Sequence, residues 1–262
     1  MNSRMLVWFS CGAASAVAAK IAVEQYSDRF DVEVCYCDLL ADEHPDNARF
    51  LKDVEAWIGQ PIKILSHPDY KDIYDVFRRR KYIVGPRGAQ CTVILKKQVR
   101  INYQRPDDVH VLGYTSDEAE RAKKFEAYSP ELDCEWVLID RDIDKNDCHI
   151  MIERAGIAMP EMYRLGYNHN NCLGCVKGGM GYWNKVRRDF PDRFAEMAKI
   201  EREIGATILR RDGERLYLDE LEPDAGTHDD LVVDCGVFCE SNGDRVEMLV
   251  NGRNNKEQPN ER

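Results

Sequence analysis

The chain has 262 residues, of which 44% are hydrophobic and 32% charged, with a formal net charge of −10 and ten cysteines. That length suits one large α/β domain with an appendage, or two small domains. The acidic balance argues against a protein that coats nucleic acid non-specifically, and no apolar run approaches the ~20 residues of a membrane helix. The apolar stretch near the N-terminus is too short for a signal peptide. A cytoplasmic protein with no membrane partner is expected, and in a reducing compartment clustered cysteines point to metal binding or catalysis rather than to disulfides.

In chain order, Met5–Phe9 reads as a buried strand, and the Ala-rich segment Ala13–Tyr26 as the helix after it. Val32–Cys37 is a second strand ending at Asp38. Asn47–Ile58 has helical spacing, with Phe50, Leu51, Val54 and Trp57 on one face. Further strands are expected at Pro61–Leu65, Val109–Leu112 and Trp136–Ile139. A helix begins at Ile73–Phe77 and ends in the basic run Arg78–Lys81, read as a solvated helix end, with a phosphate or nucleic-acid contact as the alternative. Helices follow at Asn146–Ala155 and Pro160–Leu165, and across Trp183–Ile204, where Pro191 makes a break. Asp212-Gly213 between Thr207–Arg211 and Glu214–Leu218 signals a hairpin. Strands alternating with helices imply a doubly wound, mostly parallel sheet of Rossmann-like type, with a small C-terminal helical and hairpin region. The expected division is a nucleotide-binding α/β domain over 1–165, a cysteine-pair, helix and hairpin region over 166–250, and a polar, disordered tail over 251–262.

Ser10-Cys11-Gly12-Ala13-Ala14-Ser15 joins the first strand to the first helix. Small residues let a phosphate approach the backbone, and the first N–H groups of a helix have no internal partner and attract anions. A tight packing turn needs the same residues. The segment lacks the Gly-Lys-Ser/Thr ending of a Walker loop and is not Gly-x-Gly-x-x-Gly. Cys11 reads as a small packing residue, with a helix-terminal thiolate as the alternative. His44 and His67, each before a proline, read as positional.

Cys172 and Cys175 flank Leu-Gly in an expected turn, so both thiolates can face one metal, and Cys91 is a third candidate. Three thiolates suit a [4Fe–4S] cluster with one open iron, whereas a fourth would close it or form a zinc site; spacing alone does not choose. Asp234-Cys235-Gly236-Val237-Phe238-Cys239 offers two more thiols. Cys35 and Cys37 alternate on a strand and read as small core residues.

Taken together, these segments resemble the phosphoadenosine phosphosulfate (PAPS) reductase family, within the PP-loop adenine nucleotide α-hydrolase group. The likeness rests on Phe9–Ser15, the Asp38 to Glu43-His44-Pro45 segment, Gln90-Cys91-Thr92 with Leu95-Lys96, Leu112-Gly113-Tyr114 through Asp117-Glu118 and Arg121, and Cys172-Leu173-Gly174-Cys175, all in family order. Cys11 and Ala14 depart from the common Ser-Gly-Gly-x-Asp-Ser loop, and the lost Asp bears on ATP splitting more than on nucleotide binding. The resemblance implies an adenosine nucleotide held by Ser10, Gly12, Ala13, Ser15, Asp38, Lys96, Gly113 and Arg121, with Arg100 beside Lys96. It favours iron–sulfur over zinc on Cys91, Cys172 and Cys175. Asp234-Cys235-Gly236-Val237 is similar to the segment that carries the family's nucleophilic cysteine, with Phe238 where a His is usual; Cys235 is thus a candidate nucleophile, ligand or structural residue. Sulfonucleotide reduction with a thioredoxin-like reductant is the leading implied activity. ATP-dependent thiolation of a nucleic-acid base or other acceptor is the alternative, and a non-catalytic nucleotide-binding module with a structural metal is a third.

Overall fold

The computed structural model describes residues 3–170 and 172–227. Their contacts fall into two units, each built from separated stretches: 3–72 with 95–173, and 73–94 with 174–227.

The first unit is built on a five-stranded, all-parallel sheet in the order β3-β2-β1-β4-β5. Its strands are β1 (Arg4–Phe9), β2 (Asp31–Cys37), β3 (Lys63–Leu65), β4 (Val109–Val111) and β5 (Asp133–Glu135). β1 is central and wholly buried, because both faces are covered. Its odd residues Met5, Val7 and Phe9 join one core with helices α1 (Ala13–Tyr26) and α2 (Asn47–Ile58). α1 packs on β1, on α2 and on a later helix, so it is enclosed on most sides. Small alanines at 13, 16, 18, 19 and 22 permit that close approach. α2 is amphipathic, burying Phe50, Leu51, Val54 and Ile58, and it stops at Gly59, whose φ of 78° is left-handed.

The opposite face carries Glu33, Cys35 and Cys37 of β2, and Trp8, whose indole N–H donates to His110 Nδ1 at 3.0 Å. It meets the end of the π-helical stretch Val93–Gln98 and α5 (Val99–Tyr103), which follow α3 (Ile73–Arg80) and α4 (Gln90–Thr92) in the chain. Cys37 Sγ lies 3.9 Å from the Lys96 carbonyl, and the Tyr103 hydroxyl donates to Glu33. At the N-terminal edge of the sheet, Arg4 donates to both oxygens of Asp108, at 2.9 and 2.6 Å. Both side chains are almost fully buried.

Three helices complete this unit: α6 (Ala119–Tyr128), α7 (Lys145–Arg154) and the short α8 (Glu161–Arg164). The polar pattern of α6 and the irregular turn of the Gln90–Tyr103 run hide both from a periodicity reading. The strand expected at Trp136–Ile139 lies three residues earlier, at Asp133–Glu135. Trp136, Val137 and Leu138 instead form a turn leading into a 3₁₀ segment. Their apolarity serves anchoring: Val137 and Leu138 are fully buried, and Trp136 stacks on Tyr114.

The second unit holds α3, α4, α9 (Met180–Asp189), α10 (Pro191–Ile204) and the antiparallel pair β6 (Leu209–Arg211) and β7 (Glu214–Leu216). Pro191 occupies the first turn of α10, where its missing N–H is not needed. Asp212 and Gly213 both have positive φ, 52° and 85°, as a two-residue hairpin turn requires. Glu201 is fully buried and accepts backbone N–H groups from Ile208 and Leu218 at 2.6 and 2.7 Å, tying α10 to the hairpin. Burial outweighs those two bonds and pushes its carboxyl up to about 7. The basic run is a helix end as expected: Arg78 pairs with Glu203 and Arg79 with Asp75. No helix among the described residues is long and apolar enough to cross a membrane.

Candidate functional site

Chains leave a parallel sheet in opposite directions at the point where strand order reverses, and a crevice opens there at the carboxyl ends of the strands. In this sheet that point lies between β1 and β4, and it holds a cavity of about 200 Å³. One wall is Ser10, Gly12, Ala13, Ala14 and Ser15. The other is Leu112, Gly113, Tyr114 and Thr115, from the chain after β4. Tyr36, Cys37, Glu43 and Lys96 close one side, while Lys145, His149, Tyr163, His169 and Asn170 close the other.

The first wall is stiff. Ser15 Oγ donates to the Gly12 carbonyl at 3.0 Å and accepts the Ser10 N–H at 3.1 Å, and Ser10 Oγ lies 3.1 Å from it. Cys11 turns the chain with a left-handed φ of 57° and buries its thiol against Asn47. Burial, reinforced by the Glu43 charge, raises that thiol well above its ordinary value, so Cys11 is a packing residue and not a thiolate. The Cys11 carbonyl accepts from Asn170 Nδ2 at 2.7 Å. α1 starts with no side-chain cap and no acidic residue in its first turn, which leaves its first N–H groups to the cavity.

Two glycines in the cavity differ in kind. Gly12 is extended, at φ −98° and ψ 160°, a conformation open to any residue. A methyl group there would sit 3.5 Å from the Tyr163 hydroxyl, 3.6 Å from Ser10 Oγ and 4.0 Å from Ser15 Oγ. Three hydroxyls thus surround the space its missing side chain leaves. At Gly113 a methyl group would lie 2.7 Å from both Ser15 Cα and Ser15 N, and 3.0 Å from the Ala14 carbonyl carbon. Here the absence of a side chain lets the β4 loop press on the first turn of α1.

The deep end of the cavity is charged. Glu43 is buried and accepts from the Tyr36 hydroxyl and Asn47 Nδ2, each at 2.7 Å. Burial raises its carboxyl against the opposing Lys96 charge and these hydrogen bonds. Lys96 is itself 7% exposed. Cys37 is pushed up to about 12 by burial, despite Lys96 and Arg100.

Of the residues expected to hold a nucleotide, Ser10, Gly12, Ala13, Ser15, Lys96 and Gly113 line this cavity. Asp38 stands just beyond, on the surface, accepting from Leu40 N and Ser66 Oγ. Arg121 pairs with Glu118 at 2.6 Å and lies over the Tyr114 ring, so it braces the β4 loop. Arg100 is bonded along its own helix to Gln104. His44 and His67 accept from backbone N–H groups two residues on, as positional residues do. Lys145, His149, Tyr163 and Asn170 were not singled out by motif. The i, i+4 spacing of Lys145 and His149 on a helix was the available signal.

None of the eight described cysteines forms a disulfide with another described cysteine. Cys91 is half-buried in α4. Gly174, at φ 78°, makes the turn between Cys172 and Cys175, and the Cys175 N–H donates to the Tyr182 hydroxyl at 2.8 Å. Cys172 belongs to the first unit, Cys91 and Cys175 to the second. Among the described residues, no group of three or more His, Cys, Asp or Glu side chains is placed to hold a metal ion. Cys235 and Cys239 lie outside the described residues.

Comparison with protein-family models and with curated proteins found no match for this chain.

Proposed function

We propose that the chain is an enzyme that binds an adenosine nucleotide in the β1–β4 cavity and carries out sulfonucleotide reduction there. The observation that carries the binding is the uncapped N-terminus of α1, which opens into a cavity at the reversal of strand order. A phosphate seated over Gly12 would meet the first N–H groups of α1, the positive end of its dipole and three hydroxyls. The sulfur chemistry rests on the resemblance. A thiolate attacking the sulfur of an adenosine phosphosulfate forms an S-sulfocysteine and releases AMP; an external dithiol such as a thioredoxin then frees sulfite and is oxidised to a disulfide. Burial holds Cys11 and Cys37 as thiols; the resemblance supplies Cys235 as the nucleophile in this reading. A thiolate-held metal on Cys91, Cys172 and Cys175 is a separate proposal, and iron and zinc analysis of anaerobically purified protein and its Cys→Ala variants tests it.

Gly12→Val tests the binding site. Valine suits the extended backbone at residue 12 and fills the space among the hydroxyls. Affinity for adenosine nucleotides by titration calorimetry should fall at least about tenfold, or ~1.4 kcal/mol, with thermal stability unchanged. Unchanged affinity would return the loop to a packing turn. For the chemistry, dithiol-dependent sulfite release from adenosine phosphosulfate, abolished in Cys235→Ala, is expected. Pyrophosphate release from ATP coupled to thiolation of an acceptor would replace reduction with the sulfurtransferase reading.

A further inference from the structure

A second cavity, of about 400 Å³, adjoins the first and shares Lys145, His149 and Tyr163 with it. Lys145 and His149 are one turn apart on α7, so their side chains lie on one face of that helix. Lys145 occupies the first position of α7, where a cation opposes the helix dipole. Its ammonium donates to the Asn168 carbonyl at 2.6 Å and is in no ion pair among the described residues. The His149 ring packs edge-on to Tyr163, with centroids 5.1 Å apart, and its Nε2 is buried with no hydrogen-bond partner among the described residues. Burial, then the Lys145 charge, lowers its proton affinity. Of the other charges on this cavity, Arg164 is bonded to Glu161 at 2.8 Å, and Glu153 acts on His149. The Tyr163 hydroxyl overhangs the Gly12 space on the other side of the same wall.

We infer that Lys145 and His149 form a subsite for a tetrahedral oxyanion, phosphate or sulfate, carried beyond the first phosphate of the nucleotide. An anion leaving the Gly12 space past Tyr163 reaches an ammonium in no ion pair, and a ring nitrogen with no hydrogen-bond partner, among the described residues. An anion that bonds to both groups gains a charge-assisted contact from the ammonium. The inference rests on the nucleotide reading and adds to it the residues that measure the length of the anionic chain.

The test is titration calorimetry of the full chain with AMP, ADP, ATP and adenosine phosphosulfate. The wild-type protein is expected to bind ADP and adenosine phosphosulfate at least about tenfold more tightly than AMP. In Lys145→Met with His149→Phe that preference should vanish, the loss for ADP and adenosine phosphosulfate exceeding any loss for AMP by at least about tenfold. Lys145→Arg, which keeps the charge, should retain the preference and guards against a folding artefact. Loss for ADP and adenosine phosphosulfate alike supports a general oxyanion subsite, and loss for one alone names the group it was built for. A preference that survives the double substitution overturns the assignment, as does an equal loss for AMP. Failure of the wild-type protein to bind any of the four overturns the nucleotide reading itself, and the subsite with it.

Discussion

Gly113→Ala is expected to weaken adenosine-nucleotide binding by up to about a hundredfold, or ~2.7 kcal/mol, and to lower stability by about 1–3 kcal/mol. The added methyl group would sit 2.7 Å from two backbone atoms of Ser15. Backbone at the start of a helix cannot swing aside as a flexible side chain can, so the β4 loop must move off α1. That motion separates the two walls of the cavity, and an anion bridging them loses contacts on both sides. Calorimetric titration and a thermal melt measured together check this. The contrast with Gly12→Val is the diagnostic part: Gly113→Ala should shift both observables, Gly12→Val affinity alone. A Gly113→Ala protein that binds and melts like the wild type would show that the loop has slack.

Asp108→Ala should be the most destabilising single change in the first unit, at about 3–5 kcal/mol. Asp108 receives two hydrogen bonds from Arg4 and a third from the Arg105 N–H at 2.7 Å. Removing it leaves a guanidinium 7% exposed beside the central strand, with Glu33 at 3.6 Å as its remaining carboxylate. For a domain of this size the melting temperature should fall by roughly 10 °C. A pH dependence follows as well. Burial alone would raise the Asp108 carboxyl, but the hydrogen bonds and charge of Arg4 outweigh it and hold it low. A carboxylate whose folded value is depressed contributes stability above its unfolded value, near pH 4, and that stability is lost as pH falls through the folded value. The difference between wild type and Asp108→Ala should therefore shrink on acidification below about pH 4. A difference that stays constant down to low pH would assign the loss to packing.

The parallel sheet was legible because β1, β2, α1 and α2 each repeat a clean pattern within one segment. Their boundaries, Ala13–Tyr26 and Asn47–Ile58 among them, coincide with the spacing of apolar residues. β5 was misplaced because its residues, Asp133-Cys134-Glu135, are polar, while the apolar run beside them anchors a turn. The β1–α1 loop was legible in its small residues, but the different surroundings of Gly12 and Gly113 were not. Gly12 leaves a space among three hydroxyls and Gly113 leaves room for Ser15, and only three-dimensional neighbours separate the two. Lys145, His149 and Asn170 reach the cavity from well over a hundred residues beyond the loop, a distance that no local pattern spans. The grouping of 73–94 with 174–227 was hidden for the same reason.

That interleaving orders events during synthesis. β1, β2 and β3 emerge first and can pair at once, yet β4, which completes the cavity, leaves the ribosome a hundred residues after β1. The stretch 73–94 emerges between them and must wait still longer, because the helices and hairpin it joins begin only after residue 173. Until those later elements are made, the nascent chain exposes the apolar flank of α3, Ile73, Val76 and Phe77, which is buried once the second unit forms. The period of greatest aggregation risk thus ends with the second unit, and ligand added to a chain stalled before β4 has no cavity to enter.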